Sequence, residues 1–333
     1  MAFMTLLAST ADQVTMSNWV GKLLLALHNS IGSSFGWTVV VFSIILKLIL
    51  TPLDVWQKFS MRKQQKAMVV LQPKLAKIQK QYANNPDLLR QKQYELQRSS
   101  GVSMLSSCLP MIVTMVVFFV VFAGFRELVV YQNQLVLARL NDEYVRLVAA
   151  GASAEEIKTA LAAMYKPESW LWIKNVFMSD IGTNVIPNLE NFTSSGMGGI
   201  GATLPNGLAA SYDTLVGPAM EIYNKQSFWQ ASRWNGYFVL PILAIATSFF
   251  STWLLQKMQP QSMSGTKEQQ QAQAKTMKMM NYIMPLMLGF FAIMYSAAFA
   301  IYYVMSNILS TLSTVVFNLI TKTIDKKKAE KTA

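Results

Sequence analysis

The sequence predicts an all-α polytopic membrane protein, on three observations. Hydrophobic residues make up 52% of the 333 positions and charged residues only 14%, against about 25% charged in ordinary soluble domains. The apolar residues gather into five runs, each close to the roughly 20 residues that a helix needs to cross about 30 Å of hydrocarbon. The basic residues collect in alternate connections between those runs, the pattern of loops retained on one side of a membrane.

The runs are Phe35–Val55, Met104–Phe125, Gly236–Leu255, Met279–Tyr295 and Ala297–Ile320. Taken as five spans (35–55, 104–125, 236–255, 279–295 and 297–320), they leave an extracytoplasmic segment at 1–34 and a cytoplasmic helical hairpin at 56–103. A long extracytoplasmic segment covers 126–235, a cytoplasmic loop 256–278 and a basic cytoplasmic tail 321–333. The fourth and fifth runs nearly meet at Ser296, so a tight antiparallel helical pair is expected there.

Charge sets the expected orientation. Between the first two runs lie Lys58, Arg62, Lys63, Lys66, Lys74, Lys77, Lys80, Arg90, Lys92 and Arg98 against Asp87 and Glu95. Lys257, Lys267, Lys275 and Lys278 follow the third run, and Lys322, Lys326, Lys327, Lys328 and Lys331 follow the fifth. These segments are placed inside. Residues 126–235 hold eight basic and ten acidic side chains and carry no inward bias, so they are placed outside with the N-terminus. A net charge of +12 is thereby explained by topology, and DNA is not expected as a partner.

Met16, Trp19, Val20, Leu23, Leu24, Leu27 and Ile31 recur at helical spacing, opposite Ser17, Asn18, Lys22 and Asn29, which predicts an interfacial helix before the first span. Gly32, Ser33 and Ser34 permit the turn, and Trp37 falls at the outer interface. No basic residue precedes Lys22 and no cysteine lies near the N-terminus, so this segment is expected to remain uncleaved and unlipidated.

In the hairpin, Met61, Met68, Leu71, Leu75, Ile78 and Tyr82 form a narrow apolar stripe on a basic helix. Asn84–Asp87 stops it, with Asn85 as N-cap and Pro86 as the first residue of a second helix toward Ser99. The stripe and the charge together are expected to face a partner. Residues Leu128–Ala150 and Ala154–Met164 are helical in pattern, and Ser153 with Glu156 makes a capping box. The Gly- and Ser-rich stretch Thr193–Gly201 lacks the strand and basic helix of a phosphate loop and is read as a flexible linker.

Lys47 is the informative charge, since an intramembrane cation costs about 2.5–3.5 kcal/mol on insertion scales. Two readings stay open. Its long side chain can snorkel past Pro52 to headgroups, or it faces a wet cavity lined by other polar groups. Ser43 lies one turn away, with Thr114 on the second span, Thr247, Ser248, Ser251 and Thr252 on the third, and Ser306, Asn307, Ser310 and Thr311 on the fifth. Many such hydroxyls bond only their own helix.

No Asp, Glu or His occupies the interior of a span, so a proton relay has no second titrating group. His28 has no carboxylate or cysteine near it in sequence, Cys108 stands alone, and no nucleophile is paired with a base; neither a metal, nor a cofactor, nor catalysis is expected. Met258, Met263, Met277, Met279, Met280, Met284 and Met287 cluster among 21 methionines. They suit either gap-filling or a surface that accepts varied apolar segments.

In order along the chain stand Gly36-Trp37, Lys47 with Thr51-Pro52-Leu53, Leu71-Gln72-Pro73-Lys74, Gly101-Val102 and Cys108-Leu109-Pro110. Then come Leu171-Trp172-Ile173-Lys174, Leu240-Pro241, Gln256-Lys257-Met258 and Tyr302 through Asn307. This ordered set resembles the YidC/Oxa/Alb insertase family over roughly 19–132 and 170–328. The resemblance implies a five-transmembrane-helix insertase core in the bacterial plasma membrane, multi-pass, with a hydrophilic groove open to the cytoplasm. In that family a groove arginine attracts acidic residues of a client's tail, and Lys47 holds its place here. Lysine keeps the charge and loses the bidentate fork.

The resemblance further implies a groove of Lys47, Ser43, Thr114, Thr247, Ser251, Ser306 and Asn307, with Tyr302 and Tyr303 on the client-facing wall. Arg62, Lys63, Lys66, Lys74, Lys77 and Lys80 are the expected first contact for clients or ribosome. Nascent membrane-protein clients are the implied partners, and the ribosome, the Sec translocon and anionic lipids are further candidates. Thr114 stands where the family often has glutamine, Ser103-Met104 replaces Asn-Pro, and Ser296-Ala297-Ala298 replaces Pro-Ser-Gly. A solute transporter or channel would call for internal repeats, which are absent, and a non-inserting assembly factor is the remaining alternative.

Overall fold

The computed structural model describes residues 9–99, 104–180, 185–195, 199–224, 234–258, 282–283, 285–287 and 289–332. Its elements are α1 (Trp19–Ile31), α2 (Phe35–Gln81), α3 (Pro86–Ser99), α4 (Met104–Ala149), α5 (Ala154–Met164), α6 (Leu189–Thr193), α7 (Tyr212–Tyr223) and α8 (Val239–Met258). A short apolar helix α9 (Pro285–Met294) and a long α10 (Ala297–Thr332) complete the set. Among the described residues there is no β-strand, only an isolated bridge between Trp170 and Ile173.

Among the described residues, three helical stretches are long and apolar enough to cross a membrane: Phe35–Lys63, Ile112–Ala149 and Ala297–Lys327. Shorter apolar helices, Val239–Leu254 and Pro285–Met294, stand at the third and fourth expected spans. The protein is an all-α polytopic membrane protein.

The helices of three expected spans continue beyond the spans' expected ends. α2 runs unbroken for 47 residues through Pro52 and Pro73, so the first span and the first arm of the hairpin are one helix. Proline removes a single intrahelical hydrogen bond and crowds the preceding turn; the Thr51 hydroxyl donates to the Lys47 carbonyl at 2.7 Å beside the gap. α4 likewise continues past Phe125 for 46 residues in all, because Arg126 and Glu127 change the polarity of the surface without supplying a helix stop. α10 carries the fifth span directly into the basic tail over 36 residues.

The chain divides into two compact units. The first comprises 1–43, 119–245 and 288–305. In it α1 lies on α4, and glycine makes the approach possible: a Cβ on Gly124 would sit 2.5 Å from the Val20 Cβ. Glu127 of α4 accepts the Ser17 and Asn18 backbone N–H groups at 2.5 and 3.0 Å, placing a carboxylate at the start of α1 where the helix dipole favours it. Asn18 caps α1 and Gly32 closes it at φ 65°. Val20 and Leu24 are buried, whereas Trp19 and Leu23 of the same expected face are exposed.

The centre of this unit is aromatic. Phe42 and Tyr302 flank Phe125, Phe299 packs on both Phe125 and Tyr302, and Phe122 meets Tyr295 edge-on at 4.5 Å. All four leading N–H groups of α10 are satisfied: Ala297 and Ala298 donate to the Met178 and Val176 carbonyls at 2.8 Å, Phe299 to the Ser296 hydroxyl and Ala300 to the Ser296 carbonyl. The turn after α9 is thereby tied to segment 176–178.

The segment 126–235 has a core of its own, including Leu161, Tyr165, Val185, Ile186, Phe192, Tyr212 and Leu215. The expected capping box of Ser153 and Glu156 is present. The expected flexible linker is corrected: Ile200 donates to the Asn191 carbonyl and Ala202 to that of Phe192, and both side chains are buried. Gly199 is there for close approach, since a Cβ would fall 2.3 Å from the Ser194 oxygen, and Gly201 adopts φ 69°. Residues 196–198 lie outside the described residues.

The second unit comprises 44–118, 246–287 and 306–333. α3 follows α2 across the turn at 82–85, with the Asn85 side chain accepting the Leu88 N–H at 3.2 Å. Leu71, Leu75 and Leu89 are buried, so the middle of the apolar stripe is taken up inside the unit instead of facing a partner. Of the methionine cluster, Met287 is exposed; the remaining side chains, like that of Cys108, lie outside the described residues.

Candidate functional site

Lys47, Thr51, Asp54 and Lys58 succeed one another on α2 at spacings of four, three and four, which stacks them on one helix face. Ser310 and Ser313 are three apart on α10 and share a face in the same way. The two faces meet within the second unit. The Lys47 ammonium donates to Ser310 Oγ at 3.0 Å and lies 3.1 Å from Asp54 Oδ2. That oxygen also accepts from the Lys58 ammonium at 2.9 Å and from the Ser313 hydroxyl at 2.7 Å, and Lys58 reaches Ser313 Oγ at 2.7 Å.

Three charges therefore share one pocket of polar atoms, two ammoniums around a single carboxylate oxygen. Their side chains are only 18%, 20% and 12% exposed for Lys47, Asp54 and Lys58. Leu48 and Ile49, on the other side of α2, are 67% and 66% exposed. The charged face thus turns toward α10 and the apolar face turns outward, as a helix bordering lipid requires. Lys47 is engaged by Asp54 and Ser310; its ammonium is not extended along the apolar face.

One α-helical turn before Ser310, Asn307 donates to Ser248 Oγ at 2.8 Å and Thr247 Oγ1 at 3.3 Å on α8. Polar contacts thus recur along α10. Two neighbouring threonines serve the helix itself, Thr311 donating to the Asn307 carbonyl and Thr314 to that of Ser310.

The other expected groove residues are placed as follows. Ser43 is buried in the first unit with its hydroxyl donated to the Val39 carbonyl at 2.7 Å. Thr114 is exposed on α4, and Ser251 and Ser306 are half-buried. Tyr302 and Tyr303 are 6% and 7% exposed, in the first unit's interior. In the hairpin, Lys63, Lys66, Lys74, Lys77 and Lys80 are exposed and Arg62 is half-buried. Arg62 pairs with Asp325 of α10, which Lys66 approaches to 3.7 Å. His28 packs on the Phe35 ring at 4.8 Å, with Nδ1 3.3 Å from the Thr38 hydroxyl.

Sequence reasoning missed Asp54, Lys58 and Ser313. Asp54 is the next-to-last residue of the first expected run, where hydropathy does not separate it from the charges that flank the span. Its distance of seven residues from Lys47 and four from Lys58 was the available signal.

In the first unit, a second buried polar cluster joins the 170–180 segment to the start of α8. Asn235 donates to the Asn175 and Ser179 carbonyls at 2.9 and 3.0 Å and accepts the Asn175 N–H at 2.7 Å. Asp180 Oδ2 accepts the Leu240 N–H at 2.7 Å. Burial pushes the Asp180 carboxyl up to about 6, against the pull of the Leu240 and Tyr237 N–H groups.

The fold and these clusters define a helical membrane protein with a charged network between two membrane-length helices. Over residues 26–326 the sequence matches the 60Kd inner membrane protein family, and the chain belongs to it.

Similar proteins include the membrane protein insertase YidC of Leptospira interrogans serogroup Icterohaemorrhagiae serovar Lai, 33% identical over 94 residues, which is 28% of this chain and 14% of that protein. The protein of the same name from Clostridium perfringens is 35% identical over 101 residues, 29% of this chain and 41% of that protein. That of Fusobacterium nucleatum subsp. nucleatum is 35% identical over 112 residues, 34% of this chain and 52% of that protein. The chain therefore matches about half or less of the length of each of these relatives.

Proposed function

We propose that this chain is a membrane protein insertase, moving hydrophobic segments and short hydrophilic tails of client proteins from the cytoplasm into the bilayer without a cofactor. Family membership supports the general role, as does the insertase name of its relatives. The single observation that carries the mechanism is the Lys47 ammonium, held among hydroxyls and a carboxylate on the inward-turned face of a membrane-length helix.

A polar peptide end leaving water loses hydration worth several kcal/mol per unsatisfied group in hydrocarbon, about 2–7 kcal/mol for an amide or hydroxyl. A recess lined by Lys47, Ser310, Ser313, Asn307, Thr247 and Ser251 would replace part of that hydration. Its net positive charge would favour tails that carry Asp or Glu, while the client's apolar segment passes into lipid beside it. Orientation follows from the basic segments: N-terminus outside, hairpin and tail inside. Exposed Lys63, Lys74, Lys77 and Lys80 suit early contact with a nascent client, the ribosome, the Sec translocon or anionic lipid.

Reconstituted into liposomes, the chain should insert a single-span client and carry its short acidic tail across without added nucleotide, read as protease protection of the tail. Solute flux with no tail protection would instead mark a transporter or channel, and client binding without protection would mark an assembly factor.

A further inference from the structure

We propose that Asp54 is a resident counter-ion for Lys47, a carboxylate against which a client's acidic group must compete. It is a positioning residue that sets how much negative charge a tail needs before the cluster engages it. The inference rests on the insertase reading above and adds a residue to it.

A single oxygen, Asp54 Oδ2, receives the Lys47 ammonium at 3.1 Å, the Lys58 ammonium at 2.9 Å and the Ser313 hydroxyl at 2.7 Å. The carboxylate already stands where an incoming carboxylate would be most strongly attracted. An acid that approaches Lys47 meets an ammonium whose charge is half-shared, and it is repelled by Asp54 itself.

The charge balance then decides direction. Two ammoniums and one carboxylate leave a net single positive charge, enough to attract an anion and too little to bind one irreversibly. Charges a few ångströms apart in a partly desolvated site interact far more strongly than in water, so removing the resident acid should raise the attraction for an incoming one. Lys58 makes exchange feasible: when a client carboxylate takes Lys47, Asp54 keeps the partner it holds at i+4 and the Ser313 hydroxyl. No buried charge is stranded, which would otherwise be the dominant penalty.

Asp54 also explains how a lysine is tolerated in this helix. With Asp54 beside it, the resting site is a hydrogen-bonded ion cluster in place of an isolated cation. The same contact that lowers the cost of insertion dilutes the cation's pull on clients. Asp54 thus works as a threshold: neutral tails gain nothing at the site, singly acidic tails gain little, and tails with two carboxylates compete effectively.

The test uses the full chain in liposomes of phosphatidylethanolamine and phosphatidylglycerol, with one single-span client whose short tail carries no, one or two Asp residues. The reading is the ratio of acidic-tail to neutral-tail insertion. Asp54→Asn should raise that ratio for the one-Asp tail by about threefold or more, since it removes one opposing unit charge within contact distance, and Asp54→Glu should return it to the parent value.

Equal losses on all three tails in Asp54→Asn, with the ratio unchanged, would mean that Asp54 only holds the helices together and would overturn the proposal. An unchanged ratio at undiminished insertion would overturn it too. In both cases the parent chain still inserts clients, so the insertase reading survives; failure of the parent on every tail would instead remove that reading and this one together.

Discussion

Asn235 shows what one buried amide can hold. Its side chain makes three hydrogen bonds to backbone groups of Asn175 and Ser179, and its own carbonyl accepts the Lys174 N–H at 3.0 Å. Asn235→Ala would strand the Asn175 N–H and two carbonyls in a site that water does not reach. The expected loss is about 3 kcal/mol of stability, visible as a lower denaturant midpoint in detergent. Replacing exposed Lys80 in the same assay should leave the midpoint unchanged.

Asp180 gives the same region a pH dependence. Because burial raises its folded pKa to about 6 from the usual 3.8, the folded state binds a proton that the unfolded state has already released between those values. The stability it contributes is fully present below about pH 4 and is lost as pH rises through about 6. Asp180→Asn should flatten that part of the stability profile and leave the variant more stable than the parent at pH 7. An unchanged slope would mean that another group titrates there.

Lys47 illustrates why residue-level roles were only partly legible. Its identity as an intramembrane cation could be read directly, because apolar residues surround it in sequence. Its partner could not be read from hydropathy, because Asp54 lies close enough to the run's end to pass for a flanking charge. Helical spacing held the missing information, and only the pairing with α10 gives that spacing a meaning. For Tyr302, pattern alone could not separate a ring on a client-facing wall from one packed against Phe125 and Phe299.

At the scale of elements, local chemistry was the most legible. The Asn85-Pro86 start of α3 and the Ser153–Glu156 box each depend on a few adjacent residues whose side chains satisfy exposed backbone groups, and the turn at Gly32 depends on a glycine at positive φ. Helix continuity was less so. A change from apolar to charged surface at Arg126 or after Ile320 resembles a boundary, but a helix ends only where its hydrogen bonding is interrupted, and neither place supplies an interruption.

The contact of α1 with α4 is a second element-scale feature, and it turns on glycine. A Cβ on Gly124 would collide with the Val20 side chain, and one on Gly21 would lie 2.5 Å from Met16 Sδ. Gly124→Ala should therefore displace α1 from α4 at a cost of about 1–3 kcal/mol. Faster backbone hydrogen exchange across Trp19–Ile31, with α10 unaffected, is the expected signature.

At the scale of the molecule, composition alone announced membrane residence, and the alternation of basic segments predicted which parts lie inside. Replacing Cys108 with Ser and placing single cysteines at Lys80, Ala150 or Ala333 should give cytoplasmic labelling at the first and last and external labelling at Ala150. Labelling of Ala150 from the inside would reverse the proposed orientation. The packed core of residues 126–235 was not legible, because its buried residues come from short helices and loops without a sustained period, and only tertiary contact brings Phe192, Tyr212 and Leu215 into one interior.

Both units bear on the proposed activity in different ways. The first has an aromatic and asparagine-rich interior whose polar groups are largely spent on its own backbone. The second gathers charged and hydroxyl side chains where α2 meets α10. The measurement that tests this division most directly compares Lys47→Ala and Lys47→Arg with the parent in liposomes, using a client whose tail carries two Asp residues. The alanine variant should lose about tenfold in tail protection, a difference of about 1.4 kcal/mol, while the arginine variant retains it. Full activity of Lys47→Ala on that client, in a variant that folds like the parent, would rule out an electrostatic role for Lys47.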